Sequence, residues 1–568
     1  MRNFMSNTHQ RRIQWLYWIL ALPALAFFVL FFGVPLWAIM QRAFAEKGLG
    51  AAIQMVFSNR SLLQVVAWSA WQATLSTMLT LLLGVPTAYI LAHYRFPGRA
   101  LLRSLIAVPF VLPTVVVALA FRALLGERGL INRWLVAWLE LAQPPLELEQ
   151  SLGMILIAHV FFNLTVVVRL LTAYWSNHDP RLEASAQVLG APRWRVWLEV
   201  TLPLAMPALL AAALLVFTFT FSAFGTVLLL GSSQQRTIEV EIYDQAIHQF
   251  NLPIAATLSL LQILTSLGLT LAYTRLVRRS SVPQEAQALS LRRARTWPSR
   301  VAIGGVMLLA SSLIVLPLAS LVLGALRIEG QWSLEYFRML GINQRGSYAY
   351  VPPTQAMLNS LRYAGITTIL ALVFGLPCAY LLAQPQGRLT RLLDGVLMLP
   401  LGTSAVTVGL GYIIAFRSYE FWGWETPDLR RWSGLLPLAH TLLALPFVIR
   451  TMVPALRRLN PQLREAARML GAKPWQAWRE VDLGLLLPSI MAAGLFAFTV
   501  SLGDFGAALV VSVTSPATAT MPVVIFRFLG QPGASNYGQA LAMSSLLMGV
   551  TFISFLLLER FRDQTSEW

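Results

Sequence analysis

The hydrophobic positions of this chain fall into twelve long runs, separated by polar segments. Each run reaches the ~20 apolar residues that a helix needs to cross a bilayer. Because a backbone in lipid must satisfy its own hydrogen bonds, runs of this length form helices. The pattern predicts an all-α membrane protein with about twelve transmembrane helices. The predicted spans are 17–39, 68–92, 104–124, 153–175, 203–230 and 254–274, then 301–324, 359–383, 394–415, 435–456, 485–511 and 540–559.

Composition supports a membrane protein. Hydrophobic residues make up 57% of the chain and charged residues only 12%, whereas a soluble protein of 568 residues needs a far more polar surface. The first run follows Arg11-Arg12 in the manner of a signal peptide. It is too long for one and has no clear small-residue cleavage site, so we interpret it as a retained membrane anchor.

The second half of the chain repeats the first at a fixed distance. Gly190 recurs as Gly471 after a shift of 281 (471 − 190), within a polar, basic segment in each half. The same shift carries other landmarks onto their counterparts: Phe224-Gly225 onto Phe505-Gly506, Ala158-His159 onto Ala439-His440, and Arg169 onto Arg450. This register indicates a tandem duplication. We predict two pseudo-equivalent six-helix halves, 1–276 and 301–568, joined by a basic linker at 277–300.

Charge predicts the orientation of the bundle. The formal net charge is +18, and arginines cluster in alternate loops. By the positive-inside rule these loops face the cytoplasm, which places both termini there. The intervening loops hold much of the acid, including Glu140, Glu239, Glu241, Asp244 and Asp428. A nucleic-acid partner is excluded, because no basic soluble domain is present to bind one.

Enzyme motifs are absent from the sequence. It has no His-Glu-x-x-His, Gly-x-Ser-x-Gly or Cys-x-x-Cys, and its one cysteine, Cys378, lies in a predicted span. Its two lysines, Lys47 and Lys473, do not fit a phosphate-binding loop. We therefore predict a protein that is not an enzyme and has no cofactor. Any ATP hydrolysis must belong to a partner.

The repeated polar segment carries a family resemblance. Glu-Ala-Ala, three residues, Gly, nine residues and Ile-x-Leu-Pro form the signature of ABC importer permeases, and both halves resemble it. The second half matches the opening, and the first half matches the close with Val200, Leu202 and Pro203. The matching residues that the resemblance makes candidates for ATPase coupling are Glu183, Ala184 and Gly190 in the first half, and Glu465, Ala466, Ala467 and Gly471 in the second.

Each copy of the signature departs from it at one place. Glu183 lies one position before the expected place, which Ala184 occupies, and Gly484 stands where proline is expected. The alternative interpretation is a pair of ordinary amphipathic loops with the glutamate on a solvated face. An acidic residue of a coupling helix can pair with an arginine on the partner, and the glycine allows a sharp exit turn.

The resemblance implies a type I ABC importer permease fold of the fused two-half kind. Coupling loops at about 176–203 and 457–484 would dock on two copies of a cytoplasmic ABC ATPase subunit. The partner on the opposite side would be an extracytoplasmic solute-binding protein. The chain would lie in the lipid of a bacterial inner membrane as a multi-pass protein, and one chain would supply both halves.

Several stretches resemble the thiamine branch of these permeases, namely 158–164 and 236–243, whereas 501–506 is also similar to ferric-iron permeases. We expect a small solute as cargo, with thiamine as the first candidate. A ferric-iron or polyamine-type importer is the alternative. An ion-coupled secondary transporter is a further alternative, and it would need more intramembrane carboxylates than Asp504.

Polar residues within the predicted spans give candidates for a pathway or gate. Asp504 falls inside the eleventh predicted span, where a lone carboxylate costs about 2.5–3.5 kcal/mol, so it should face the bundle interior. It forms either part of a pathway or gate, together with Phe505 and Phe224, or a buried helix–helix hydrogen bond. For His159 and His440, a metal site is weakly supported, since carboxylates and thiols are not near them in sequence. Interhelical hydrogen bonds are the favoured interpretation.

Overall fold

Nearly every element of the computed structural model is a helix. The structure describes residues 17–44, 54, 58–176, 181–280, 291–294, 296–328, 330–342, 351–384, 387–418, 420–421, 424–425 and 427–566. Within them, ten helices are long and apolar enough to cross a membrane, and two bent helix pairs raise the number to as many as twelve. The prediction of an all-α membrane protein with about twelve spans is confirmed.

We number the spans in chain order. The ten single helices are spans 1 (Tyr17–Phe44), 2 (Arg60–His93), 4 (Leu152–Ser176), 5 (Trp194–Phe221), 6 (Leu252–Leu276), 7 (Trp297–Ala325), 8 (Pro353–Ala383), 10 (Leu435–Arg458), 11 (Pro474–Gly503) and 12 (Ala534–Phe561). The bent pairs are spans 3 (Arg99–Val111 and Thr114–Leu139, at 113°) and 9 (Arg388–Gly402 and Ala405–Ala415, at 98°). The spans predicted at 104–124 and 394–415 are thus bent helix pairs. A proline in each bend, Pro113 and Pro400, lies at the end of the first helix or just beyond it.

Spans 5 and 11 end earlier than predicted. Span 5 stops at Phe221 and a short helix, Gly225–Leu230, follows; span 11 stops at Gly503 before the short helix Gly506–Ser512. The predicted continuous runs 203–230 and 485–511 are thus each broken at the same place in the repeat. At the second break Asp504 has an extended backbone, and its Oδ2 accepts a hydrogen bond from Ala508 N at 3.0 Å. This bond satisfies an N–H of the new helix.

Shorter elements lie between the spans or within them. The helices are Leu130–Leu139 within span 3, Arg181–Val188, Ile238–Tyr243, Glu335–Met339, Pro461–Met469 and Met521–Leu529; π-helical segments are Val29–Gly33, Trp197–Thr201, Asp244–His248 and Trp478–Leu483. Two-residue strands pair as Tyr94–Arg95 with Arg292–Arg293 in parallel, and as Arg327–Ile328 with Gln331–Trp332 and Glu420–Phe421 with Trp424–Glu425 in antiparallel.

Two different shifts relate the halves. Gly84 packs on Val167, and Gly375 packs on Val448: a Cβ on either glycine would lie 2.5 or 2.6 Å from a valine methyl carbon. The glycines are related by 291 (375 − 84) and the valines by 281 (448 − 167). The ten extra residues of the first half lie between Gly84 and Val167, in a stretch that includes the helix Leu130–Leu139. The two halves therefore use the same close contact between their second and fourth spans.

The first span of each half packs on the other half. Span 1 contacts the second piece of span 9, where a Cβ on Gly411 would lie 2.9 Å from Pro35. Span 7 contacts the second piece of span 3, and Ser320 Oγ donates to Ala120 O at 3.1 Å. These contacts of spans 1 and 7 with the opposite half hold the two halves together.

Helices border the predicted linker on both sides. The helix that contains span 6 continues to Ser280, and the next begins at Trp297 after the strand Arg292–Arg293. Residues 281–290 lie outside the described residues. The boundaries 1–276, 277–300 and 301–568 remain predictions.

Candidate coupling segments and central site

The repeated polar segments form the short helices Arg181–Val188 and Pro461–Met469, which we call coupling helices 1 and 2. Both end in the same turn. Gly190 has φ +87° and Gly471 has φ +89°, and no atom would crowd a Cβ at either position. The backbone bonds from Ala191 N to Ala186 O (3.1 Å) and from Ala472 N to Ala467 O (3.0 Å) close a Schellman motif. Glycine is needed here because of the left-handed backbone conformation.

Each coupling helix leads into an exposed apolar pair. Val188 and Leu189 are 87% and 88% exposed, and their counterparts Met469 and Leu470 are 89% and 90% exposed. The sequence pattern did not single out these four residues, although they lie just before the repeated glycine. Apolar side chains that project together from a polar segment are typical of a protein-contact surface.

The structure separates the two predicted glutamates. Glu465 is exposed, but Glu183 is buried, and its Oε1 accepts a hydrogen bond from the Thr201 hydroxyl at 2.8 Å. In the second half an ion pair occupies both equivalent positions, with Arg464 Nε 2.7 Å from Asp482 Oδ1. Glu183 therefore fixes its coupling helix to the π-helical segment Trp197–Thr201. The one-residue displacement of Glu183 turns its side chain toward the protein, away from a partner's arginine.

The other predicted coupling residues lie around these helices. Ala184, the true counterpart of Glu465, is exposed, as is Ala466, whereas Ala467 is half-buried. At this position coupling helix 2 exposes a glutamate, whereas coupling helix 1 exposes an alanine. The two coupling helices have the same shape but different charge.

The two halves meet where spans 5 and 11 break. The rings of Phe224 and Phe505, which are repeat counterparts, stack with centroids 5.6 Å apart and an interplanar angle of 24°. Tyr243 backs the first ring at 5.6 Å and Phe526 backs the second at 5.4 Å. A Cβ on Gly225 would lie 3.2 Å from Phe505, so glycine allows this close approach. The pair occupies the centre of the contact between halves.

Asp504 lies in the break and not within a helix, which corrects its predicted position. Besides the bond from Ala508 N, its Oδ2 lies 3.2 Å from His440 Nε2, and His440 Nδ1 lies 2.7 Å from Ser501 Oγ. In the first half, His159 instead joins Ser76 and Thr226, at 3.0 and 3.1 Å. Both histidines thus make interhelical hydrogen bonds, as predicted. No group of three His, Cys, Asp or Glu side chains that could hold a metal occurs among the described residues.

Asp504 also lines a cavity of about 210 Å³ between the halves. Phe110 comes from the bend of span 3, and Phe447 and Phe496 come from spans 10 and 11. The rings of Phe447 and Phe496 lie 4.7 Å apart, and those of Phe110 and Phe496 lie 6.3 Å apart. The repeat counterparts of Phe447, Phe496 and Asp504 are Val166, Leu215 and Ala223. At these three positions the second half has aromatic rings and a carboxylate, and the first half has aliphatic side chains.

A polar layer lies beyond the break, at the ends of the spans opposite the coupling helices. Ser404, in the bend of span 9, donates a hydrogen bond to Glu239 of the first half. Burial raises the pKa of Glu239 to about 8, against the opposing effect of that hydrogen bond. Arg236 Nη1 lies 2.8 Å from Asp244 Oδ2 and 3.5 Å from Glu241 Oε2. Glu239 therefore joins the first half to the bend of the second through a buried carboxyl.

Paired six-span halves, exposed coupling helices and a polar, aromatic centre together define a membrane permease. The chain belongs to the family described as the binding-protein-dependent transport system inner membrane component, whose profile matches residues 81–282 and 371–565. The match covers both halves, and it confirms the resemblance to fused two-half ABC importer permeases. The chain is therefore a transport subunit.

Two relatives that are similar over most of the chain carry the same name. The thiamine transport system permease protein of Escherichia coli (strain K12) is 27% identical over 523 residues, which cover 89% of this chain and 90% of that protein. The protein of the same name from Brucella abortus (strain 2308) is 28% identical over 537 residues, covering 94% and 93%. Among solved structures, a bacterial alginate ABC transporter in complex with an alginate-bound periplasmic protein matches with 18% identity and a TM-score of 0.41, covering 49% of this chain and 99% of that chain.

Proposed function

We propose that this chain supplies both transmembrane halves of an ATP-driven thiamine importer. The paired coupling helices with their exposed apolar tips carry the ATP-driven part of the proposal. The cargo rests on the relatives named as thiamine permeases, which align over nearly the whole chain. ATP hydrolysis belongs to a separate subunit, bound in two copies, because the chain presents two coupling helices of the same shape.

Counting spans supports docking on one face. Six spans, 5 to 10, separate the two coupling helices if each bent pair crosses the membrane, and only five cross if span 9 turns back. Coupling helices that dock on one face require an even number of crossings between them, so span 9 crosses the membrane, and span 3, its repeat counterpart, crosses as well. Arginine-rich loops place that side in the cytoplasm, and both termini with it. Residues 1–16 and 567–568 themselves lie outside the described residues.

The opposite face receives cargo from an extracytoplasmic solute-binding protein. Cargo then passes between the halves, where the stacked Phe224 and Phe505 form the gate. Movement of the coupling helices would separate these rings, because each lies just beyond the span that follows a coupling helix. The central cavity lies beside this gate.

The cavity suits an aromatic cation. Phenylalanine rings attract cations through their faces, and Asp504 supplies a carboxylate. Both Asp504 bonds use Oδ2, and no other described residue donates to the carboxylate, so Oδ1 is left to the cavity. Thiamine is an aromatic cation, whereas ferric iron prefers several hard oxygen ligands. The chemistry thus favours thiamine over iron.

Uptake into proteoliposomes tests the cargo. The chain, its ATPase subunit and its solute-binding protein should accumulate radiolabelled thiamine only with ATP inside and the binding protein outside. Excess unlabelled spermidine or a ferric complex should not compete. ATP-dependent accumulation of spermidine or iron without thiamine uptake would overturn the cargo assignment and leave the importer intact.

A further inference from the structure

A second and larger cavity lies away from the central site, at the junction of the two halves. It measures about 730 Å³ and lies between the segment after span 2, the strand before span 7 and span 7 itself. Its lining includes Arg95, Arg293 and Arg300 together with Phe96, Ile303 and Met307. Neither the coupling helices nor the central cavity contributes to it.

Three arginines concentrate positive charge at this cavity. The parallel strand pair places Arg95 beside Arg293 as direct partners. Arg300 Nε donates to Ala294 O at 3.3 Å, and none of the three arginines forms an ion pair with a described acidic residue. All three are exposed. The cavity thus attracts an anion.

The rest of the cavity is apolar and follows one helix face. Arg300, Ile303, Gly304 and Met307 are spaced i, i+3, i+4 and i+7, so they lie on a single face of span 7. This face runs from a charged end toward the apolar interior of the span. Gly304 leaves the groove open, since a Cβ there would meet no atom within 4 Å. The exposed Trp297 at the start of span 7 is typical of the membrane interface.

We propose that this cavity binds an acidic phospholipid, with its phosphate on the arginines and an acyl chain along span 7. Two spans, 3 and 4, separate Arg95 from coupling helix 1, so the cavity lies at the same membrane face as the coupling helices. Basic pockets between helices at that face bind anionic headgroups. A free phosphate or an acidic protein segment would leave the apolar groove unused. The lipid would connect the first half to span 7 of the second, whichever cargo is transported.

Lipid binding to the purified full chain tests this proposal. Thermal unfolding and native mass spectrometry would compare phosphatidylglycerol with phosphatidylcholine of the same acyl chains, with inorganic phosphate as a separate arm. Phosphatidylglycerol should bind and protect preferentially. R95Q/R293Q should weaken its binding by roughly tenfold. The control R388Q/R391Q removes two charges from the start of span 9 in the second half and should leave binding unchanged. G304L should weaken lipid binding with all three arginines intact.

Three results would overturn the proposal. Equal binding of phosphatidylglycerol and phosphatidylcholine would show that the cavity does not select an acidic headgroup. If inorganic phosphate protects the chain fully against thermal unfolding and G304L does not change lipid binding, the cavity is a site for a free anion. If R95Q/R293Q keeps the lipid but loses the ATPase subunit, the arginines form a protein-docking surface.

Discussion

Replacing Met469 and Leu470 together by serine is expected to abolish cargo-stimulated ATP hydrolysis while the protein still inserts and folds. Both side chains are about 90% exposed in the free chain and would be buried by a docked ATPase. Burying a large apolar side chain stabilises by about 1.5–3 kcal/mol, so the pair accounts for roughly a hundredfold or more in affinity. ATPase activity of the reconstituted complex, with and without loaded binding protein, measures the effect.

Matched variants show whether apolar contact is the cause. The swap M469L/L470M keeps the apolar area and should remain active. V188S/L189S alters the counterpart pair and should be as damaging as the first variant. Normal stimulation in both serine variants would exclude these pairs from the docking surfaces.

Asp504→Asn is expected to slow transport by at least tenfold while the melting temperature holds or rises. Asparagine keeps the shape of the side chain and can still accept the hydrogen bond from Ala508 N, but it loses the charge that a cationic cargo would meet. Asp504→Leu should instead destabilise the protein, because it leaves Ala508 N and His440 Nε2 without this partner. Unsatisfied buried groups cost about 1–3 kcal/mol each. Thiamine uptake and thermal unfolding, measured on both variants, separate these effects.

The repeat provides the control for Asp504. Ala223 is its counterpart in the first half, and Ala223→Asn should leave uptake close to normal because the first half has no matching aromatic site. If Asp504→Asn transports normally and only Asp504→Leu is unstable, Asp504 is a structural hydrogen-bonding residue. If both Asp504 variants transport normally, it has no role in transport.

Most of the architecture could be predicted from the sequence, because long apolar runs and a repeat with a fixed shift are both strong signals. The turns at Gly190 and Gly471 could be predicted, because glycine is the one residue that adopts a left-handed backbone without strain. The interhelical hydrogen bonds of His159 and His440 could be predicted, because a buried polar group without a partner is costly in free energy.

Other features depend on backbone angles that hydropathy does not report. Spans 3 and 9 remain apolar through their bends, so their runs resembled straight helices. The residues around the break at Asp504 are also mostly apolar, so hydropathy did not reveal the break. The burial of Glu183 depended on a one-residue offset, which turns a helical side chain by about 100°. Hydropathy did not distinguish the exposed pairs Val188-Leu189 and Met469-Leu470 from the many other apolar residues of a membrane protein.

The central claim is that one chain presents two equivalent docking sites for an ATPase subunit. The mass of the intact complex, purified from cells that co-express both proteins, tests it most directly. We predict one 63.0 kDa chain with two ATPase subunits, reduced to at most one when either apolar pair is changed to serine. A complex that holds no ATPase subunit, or that keeps both when Val188, Leu189, Met469 and Leu470 are all serine, would contradict the claim.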